Sequence, residues 1–354
     1  MQEFYPQYEN DYLDNITGDE DINYTVQKPN IFSVGDLLDM DLPEIKWLLY
    51  PFIPQKGVCM ISAPRGVGKS FLAMTMAISI ASSIDFLGFK TEQQYKVLYI
   101  DGEMNGKMLQ ERFSKLIDGL EKDGAIVNRE NLKIFGCDFQ GRSSMPDMSK
   151  PAHWRIIENA INSIGGVDLI ILDNVFTLYG CQDENAASSW QAFNRWSVSQ
   201  RIQNRSVLWI HHTGKDTEKG GRGSSAIETL MDSSILLKRP AGYNQQDGAA
   251  IIVEYTKSRS VAGDAVAKFA IKLCGTDNML YWCVTKTDEQ SELENLLDMV
   301  DNRGMNVDDI VKETGLSRSA VYRKLQSAGI KKTAVRAKLA RQKQTEDNKT
   351  LIDI

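Results

Sequence analysis

Metal-ligating and cross-linking side chains are scarce in this sequence. Its 354 residues include three histidines and five cysteines, and Cys59, Cys137, Cys181, Cys274 and Cys283 are scattered without a C-x-x-C pair. That scarcity excludes a zinc ribbon and a disulfide scaffold, and it leads us to expect a reduced, cytoplasmic protein without zinc. Long apolar runs are missing as well. The most apolar helical stretch, near residues 71–84, is too short to span a bilayer, so no membrane partner is expected. The polar, acidic start is the reverse of a signal or transit peptide. We find no internal repeat and no low-complexity tract. Basic residues are nearly absent from the first 45 positions, where eleven acids face Lys28 alone, although the whole chain carries only −6. The remainder is therefore mildly basic. A wholly basic nucleic-acid binder is excluded, whereas local basic surfaces are not.

Residues 57–70 read Gly-Val-Cys-Met-Ile-Ser-Ala-Pro-Arg-Gly-Val-Gly-Lys-Ser. Val58–Ser62 has the continuous apolar character of a buried parallel strand, and Phe71–Ile84 is apolar enough for a helix packed on a sheet. The stretch between them, Ala63, Pro64, Arg65, Gly66, Val67, Gly68, Lys69 and Ser70, running into Phe71, is a phosphate cradle. Gly66 and Gly68 let successive N–H groups turn toward an anion, and the new helix aims its positive end at the same spot. Lys69 supplies charge for the β- and γ-phosphates and Ser70 a hydroxyl for Mg²⁺, so ATP and Mg²⁺ are expected. Ala63 occupies the position where the G-x-x-x-x-G-K-[ST] pattern has its first glycine. Its backbone must then keep an ordinary conformation.

Strand and helix periods alternate beyond this point. Lys96–Glu103 is expected to form a second strand, Met108–Leu120 a helix, Leu132–Phe135 a third strand, residues 137–150 a loop, and Trp154–Ile164 a helix. Val167–Asp173 reads as a strand covered on both faces, followed by a helix over Ala186–Ile202 and a strand over Ser206–His211. Ser234–Lys238, Ala250–Tyr255, Ala265–Cys274 and Leu280–Thr285 are strands linked by Gly/Asn/Asp turns. The fold class is α/β: a mainly parallel sheet with an antiparallel extension, then a small all-α segment after about residue 288.

Several polar residues fall at the strand ends. Asp173 closes an apolar strand where a carboxylate can hold the water shell of Mg²⁺. Glu103 ends the second strand, where it can orient an attacking water. Asp101 is its rival, because alternation would put both acids on one face. His211 and His212 should point to opposite sides, one of them toward a γ-phosphate. In the charged loop 215–222, Lys215 and Lys219 suit a nucleic-acid backbone and Arg222 a neighbouring subunit's phosphate. Lys257 and Arg259 share a strand face and are a second source of positive charge in trans.

Together A-P-R-G-V-G-K-S, D-G-E, L-I-I-L-D, I-H-H-T-G-K and R-G-S-S resemble the RepA-like branch of the RecA/DnaB helicase superfamily, over roughly residues 47–288. The resemblance implies a RecA-like AAA-family ATPase working as a hexameric ring on single-stranded DNA, with nucleotide between subunits. It implies Lys69 and Ser70 as phosphate and Mg²⁺ residues, Asp173 as the Mg²⁺ acid and Glu103 as the catalytic carboxylate. His212 would be the γ-phosphate sensor and Arg222 the arginine finger, while Lys257 and Arg259 resemble a less regular basic pair.

Asn306–Leu325 reads as two helices about Gly315, with Ile310, Val311, Leu316, Val321 and Leu325 inside. It is similar to a helix-turn-helix whose second helix offers Arg318, Ser319, Tyr322 and Arg323 to duplex DNA. A helical bundle serving as a subunit contact is the alternative. The expected organisation is an acidic, largely disordered segment (1–46), an ATPase domain (47–288), a helix-turn-helix-like domain (289–330) and a basic tail (331–354). The function expected is an ATP-dependent, ring-forming replicative helicase of a plasmid, phage or mobile element. The alternatives are an ATP-regulated DNA-binding initiator and a DNA-remodelling ATPase without unwinding.

Overall fold

Six short apolar segments, each too short for a helix and rich in Val, Ile and Leu, pair in parallel, and helices among the described residues cover both faces. The computed structural model describes residues 30–140, 145–179, 190–213 and 229–328. Its central sheet has nine strands in the order β11-β10-β9-β8-β3-β7-β6-β4-β5. The parallel strands are β3 (Val58–Ala63), β4 (Val97–Asp101), β5 (Leu132–Gly136), β6 (Leu169–Asp173), β7 (Ser206–His212) and β8 (Ser233–Lys238). β9 (Ala250–Ser258) and β10 (Phe269–Gly275) run antiparallel, and β11 (Leu280–Thr285) closes that end. A separate two-stranded ribbon, β1 (Trp47–Leu49) and β2 (Ile53–Pro54), precedes the sheet.

Two apolar layers sandwich the sheet. On one face lies the helix Lys69–Ser82, in which every residue from Leu72 to Ser82 is buried. Such an all-round apolar helix is stable only because the sheet, the ribbon and the helix Gly106–Lys122 enclose it. On the other face four tryptophans, Trp154, Trp190, Trp196 and Trp209, fill the space under the helices Pro151–Ser163 and Gln191–Ile202. Two of their polar edges are used: the Trp209 indole donates to Ser197 Oγ at 3.1 Å and the Trp154 indole to the Met148 carbonyl at 3.0 Å, whereas Trp196 Nε1 is buried without a partner.

The observed elements differ from the expected ones in instructive places. Residues 34–38 form a helix inside the segment expected to be largely disordered, because Ser33 and Asp36 make a reciprocal capping box. The strand before Asp173 begins at Leu169, two residues later than expected, after Gly165 and Gly166 adopt positive φ. The strand expected from Ala265 begins at Phe269, since Gly263–Val266 form a 3₁₀ turn. The first 29 residues, Lys215, Lys219, Arg222, the start of the helix expected at Ala186 and the tail 331–354 lie outside the described residues.

The chain divides into two compact units. The larger comprises Met1–Arg239 with Tyr243–Val284 and carries the sheet. The smaller comprises Pro240–Gly242 with Thr285–Ile354. In the smaller unit the helices Asp288–Asp301, Val307–Thr314 and Arg318–Ser327 enclose Leu296, Met299, Val300, Val307, Ile310, Val321 and Leu325. Thr287, Asn306 and Ser317 cap the three helices, and Gly315 at φ 71° ends the second. Among the described residues no helix is long and apolar enough to cross a membrane.

The tightest approach in the larger unit is at Gly119, where an added Cβ would lie 1.9 Å from the Leu280 carbonyl oxygen. Because backbone cannot yield as a side chain does, Gly119→Ala is expected to destabilise the protein by about 1–3 kcal/mol, read from urea unfolding.

Candidate functional site

Parallel pairing sets the register of four strand ends. Asp101 pairs with Asp173 across β4 and β6, Asp173 with Ile210 across β6 and β7, and His212 with Ala63 across β7 and β3. These polar residues therefore reach one edge of the sheet, the carboxyl ends of its strands. A cavity of about 710 Å³ opens there, lined by Gly66, Gly68, Lys69, Ser70, Glu103 and Asp173, with His212 at its wall.

The phosphate loop is already shaped. Ala63 is the buried last residue of β3, and its carbonyl accepts from the Thr213 N–H at 3.0 Å. Gly68, at φ 117°, must be glycine twice over, because a Cβ would also meet Ala249 at 2.9 Å. The Lys69 ammonium donates to the carbonyls of Ala63 and Pro64, both at 2.8 Å. Burial lowers its pKa from 10.5 to about 8, against the opposing pull of Asp173 and Glu103. Arg65 lies over the Phe176 ring at 5.4 Å and Arg112 over Phe71 at 4.6 Å.

The two acids after β4 have different duties. Asp101 is buried, and one of its oxygens accepts the N–H groups of Met104 at 2.6 Å and Glu103 at 3.1 Å. It holds the turn, and burial pushes its pKa up to about 6. Because β4 stops at Asp101, the strand alternation that would align both acids does not extend to Glu103. The Glu103 carboxylate faces the cavity, where it accepts from Asn174 Nδ2 at 2.6 Å and lies 3.9 Å from His212 Nε2. Sequence reasoning missed Asn174. Its position directly after the strand-ending acid, with a side chain that also caps the helix Val175–Leu178, was the available signal.

Asp173 is buried and accepts from the Tyr99 hydroxyl at 2.6 Å, and Ser70 lines the same cavity. Burial raises its pKa, and the Tyr99 and Ser70 hydroxyls oppose the rise. Ser70 and Asp173 thus form an oxygen pair of the kind a hard cation takes. Among the described residues there is no cluster of three His, Cys, Asp or Glu groups for a metal. A magnesium ion completed by phosphate and water needs none.

His211 and His212 diverge as strand alternation requires. His211 is buried edge-on to Trp190, with ring centroids 6.2 Å apart. His212 faces Glu103, and its Nδ1 is buried without a hydrogen-bond partner.

Tyr243 and Arg239 were also missed. Tyr243 lines the cavity, and Arg239 stacks on its ring at 4.1 Å while donating to the Gly66 carbonyl at 3.4 Å. They sit in the loop after β8, whose composition looks like an ordinary turn.

Other expected residues stand elsewhere. Lys257 and Arg259 lie at the opposite edge of the sheet, where both donate to the Thr229 carbonyl at 2.9 Å and Arg259 also faces Asp232 at 3.5 Å. Antiparallel β9 carries them away from the phosphate loop, so neither lines the cavity of its own chain. On the last helix Arg318 pairs with Asp308, Ser319 and Arg323 are exposed, and Tyr322 is half-buried against the core.

A family model described as an AAA domain matches residues 25–218, more than half of the chain. No curated protein matches it.

Burial lowers the pKa of both His211 and His212 from 6.5 to about 4. Between those values the unfolded chain binds protons that the folded imidazoles refuse, so these groups destabilise the fold as pH drops from 6.5 toward 4. Asp101, raised from 3.8 to about 6, opposes them over its own window because the folded state binds its proton first. His211→Asn is therefore expected to flatten the acid limb, measured by urea unfolding between pH 7 and 4.

Proposed function

The chain belongs to the AAA-domain family of P-loop ATPases, and from that premise we propose that it is a ring-forming, ATP-dependent DNA motor, a RepA-like replicative helicase. The single observation that carries the hydrolytic part is the convergence of Lys69, Ser70, Asp173, Glu103 and His212 on one cavity. The resemblance of its motifs to RepA-like helicases carries the DNA-motor part.

Lys69 binds the β- and γ-phosphates, exchanging its two loop carbonyls for phosphate oxygens. Ser70 and Asp173 would hold a magnesium ion, which when bound would supply charge neutralisation at the phosphates. Glu103, oriented by Asn174, positions the attacking water and accepts its proton. His212 is neutral above its depressed pKa, so it can donate or accept one hydrogen bond at the γ-phosphate and report its loss. Tyr243, stacked with Arg239, gives the base a flat aromatic surface at the cavity. Arg222 reaches the nucleotide of the neighbouring subunit and ties each hydrolysis to subunit movement. Lys257 and Arg259 add positive charge in trans, which is consistent with their distance from their own phosphate loop.

Single-stranded DNA is held by Lys215 and Lys219, and duplex DNA by the last described helix of the smaller unit, Arg318–Ser327. Its Ser319 and Arg323 are open for contact. Arg318 must first leave Asp308. Electron microscopy of the protein with an ATP analogue and single-stranded DNA tests the assembly directly: closed rings are expected, and filaments or isolated subunits would refute it.

Two kinetic outcomes follow. Glu103→Gln is expected to cut steady-state ATP turnover at least about a hundredfold while ATP-analogue affinity stays within about threefold, measured by phosphate release and fluorescence titration. Arg222→Ala is expected to slow turnover about a thousandfold in the assembled protein with nucleotide binding nearly intact, and wild-type hydrolysis would remove the finger assignment.

A further inference from the structure

A tyrosine beside the cavity is fully buried, so its hydroxyl must find a partner inside the protein. Tyr99 lies in β4, whose backbone pairs with β5 on one side and β6 on the other. It stands opposite Ile171, and Asp173 is two residues further along β6 on the same face. The tyrosine side chain spans that diagonal, and its hydroxyl donates to Asp173 Oδ2 at 2.6 Å. This is the short range of a hydroxyl bound to a carboxylate. The ring is fixed edge to face against Phe113 of the helix Gly106–Lys122, with centroids 5.6 Å apart, and Leu109 and Leu116 belong to the same apolar layer. Strand pairing and core packing together therefore set where the hydroxyl points.

A carboxylate turns readily about its last torsion, so something must choose its direction. Lys69 is the competing attraction. It lines the same cavity, and its ammonium favours the ionised form of Asp173. In the structure each is held by another partner: Lys69 donates to the carbonyls of Ala63 and Pro64, both at 2.8 Å, while Asp173 accepts from Tyr99. An Asp173 closed onto Lys69 would occupy both the charge that serves phosphate and the oxygens that serve a cation. With Oδ2 engaged by Tyr99, the second oxygen is left for the cavity that Asp173 shares with Ser70.

We propose that Tyr99 is a positioning residue for the cation site: its hydroxyl keeps Asp173 off Lys69 and presents the second carboxylate oxygen beside Ser70. The inference rests on the reading of that cavity as a magnesium–nucleotide site. Tyr99 does not line the cavity and acts only through Asp173. Groups bonded to a metal's ligand, not to the metal, change its affinity by about 10–100-fold when they are removed.

Tyr99→Phe deletes the hydroxyl and keeps the ring against Phe113. The full-length protein is titrated with magnesium in the presence of a fluorescent, slowly hydrolysed ATP analogue, and its affinity for that analogue is measured separately in EDTA. The variant is expected to need at least about tenfold more magnesium at the midpoint, while its affinity in EDTA, which also reports that it is folded, stays within about twofold of wild type. In an Asp173→Asn background the same change is expected to move the midpoint by less than about twofold, because the two groups act as a unit. An unmoved midpoint, an equal loss of affinity with and without magnesium, or additive effects of the two substitutions would each overturn the proposal. Wild-type binding that ignores magnesium would remove the magnesium–nucleotide reading as well, whereas a magnesium-dependent wild type with an unmoved variant removes the role of Tyr99 alone.

Discussion

The unbroken parallel register of β4, β6, β7 and β3 is the constraint on which the site depends. Parallel strands share a direction, so each hydrogen-bonded rung that aligns Val97 with Leu169 or Val58 with Val207 also aligns the carboxyl ends. Asp101, Asp173, His212 and Ala63 reach one edge for that reason alone. A slip of one residue in any strand would turn its polar end group to the other face and its apolar residues out of the core. The tryptophan layer on one face and the buried phosphate-loop helix on the other oppose such a slip, because each fits a single arrangement of the strands beneath it.

Burial at this edge sets the chemistry. Lys69 is buried yet keeps two carbonyl partners, so its charge is held against the loop that precedes it. The two aspartates differ from Glu103 in the opposite sense. Asp101 and Asp173 are sunk among backbone N–H groups and hydroxyls, whereas the Glu103 side chain is 61% exposed and tethered by one amide. The exposed acid lies at the mouth, and the groups that hold the framework lie beneath it. Both histidines stay uncharged in neutral solution, which avoids placing further cations beside Lys69.

Much of this was legible from residue order. The phosphate loop was readable because glycine spacing, a following lysine and an apolar strand before it serve one local purpose. The alternation of strands and helices fixed the fold class, and the change to Gly/Asn/Asp turns after Lys238 announced the antiparallel extension. The short helix at residues 34–38 was hidden because a capping box is only two residues in an acidic background. Asn174, Arg239 and Tyr243 were hidden because their roles rest on neighbours distant in the chain: Glu103 for the first, Gly66 and the cavity for the others.

By itself the sequence determined that residues 63–71 form a glycine-rich turn from a buried strand into a helix and that the sheet is mainly parallel, since both are properties of local spacing and periodicity. The motif resemblance already favoured Glu103 over Asp101, and the tertiary structure gives the two acids different surroundings, ending β4 at Asp101 and spending that carboxylate on two backbone N–H groups. Only it separated Lys257 and Arg259 from their own phosphate loop, and only it set Arg239 and Tyr243 beside that loop. Each of these depends on which strand pairs with which and in what direction. Pairing of that kind is set by the packing of the whole sheet, and no local stretch of sequence encodes it.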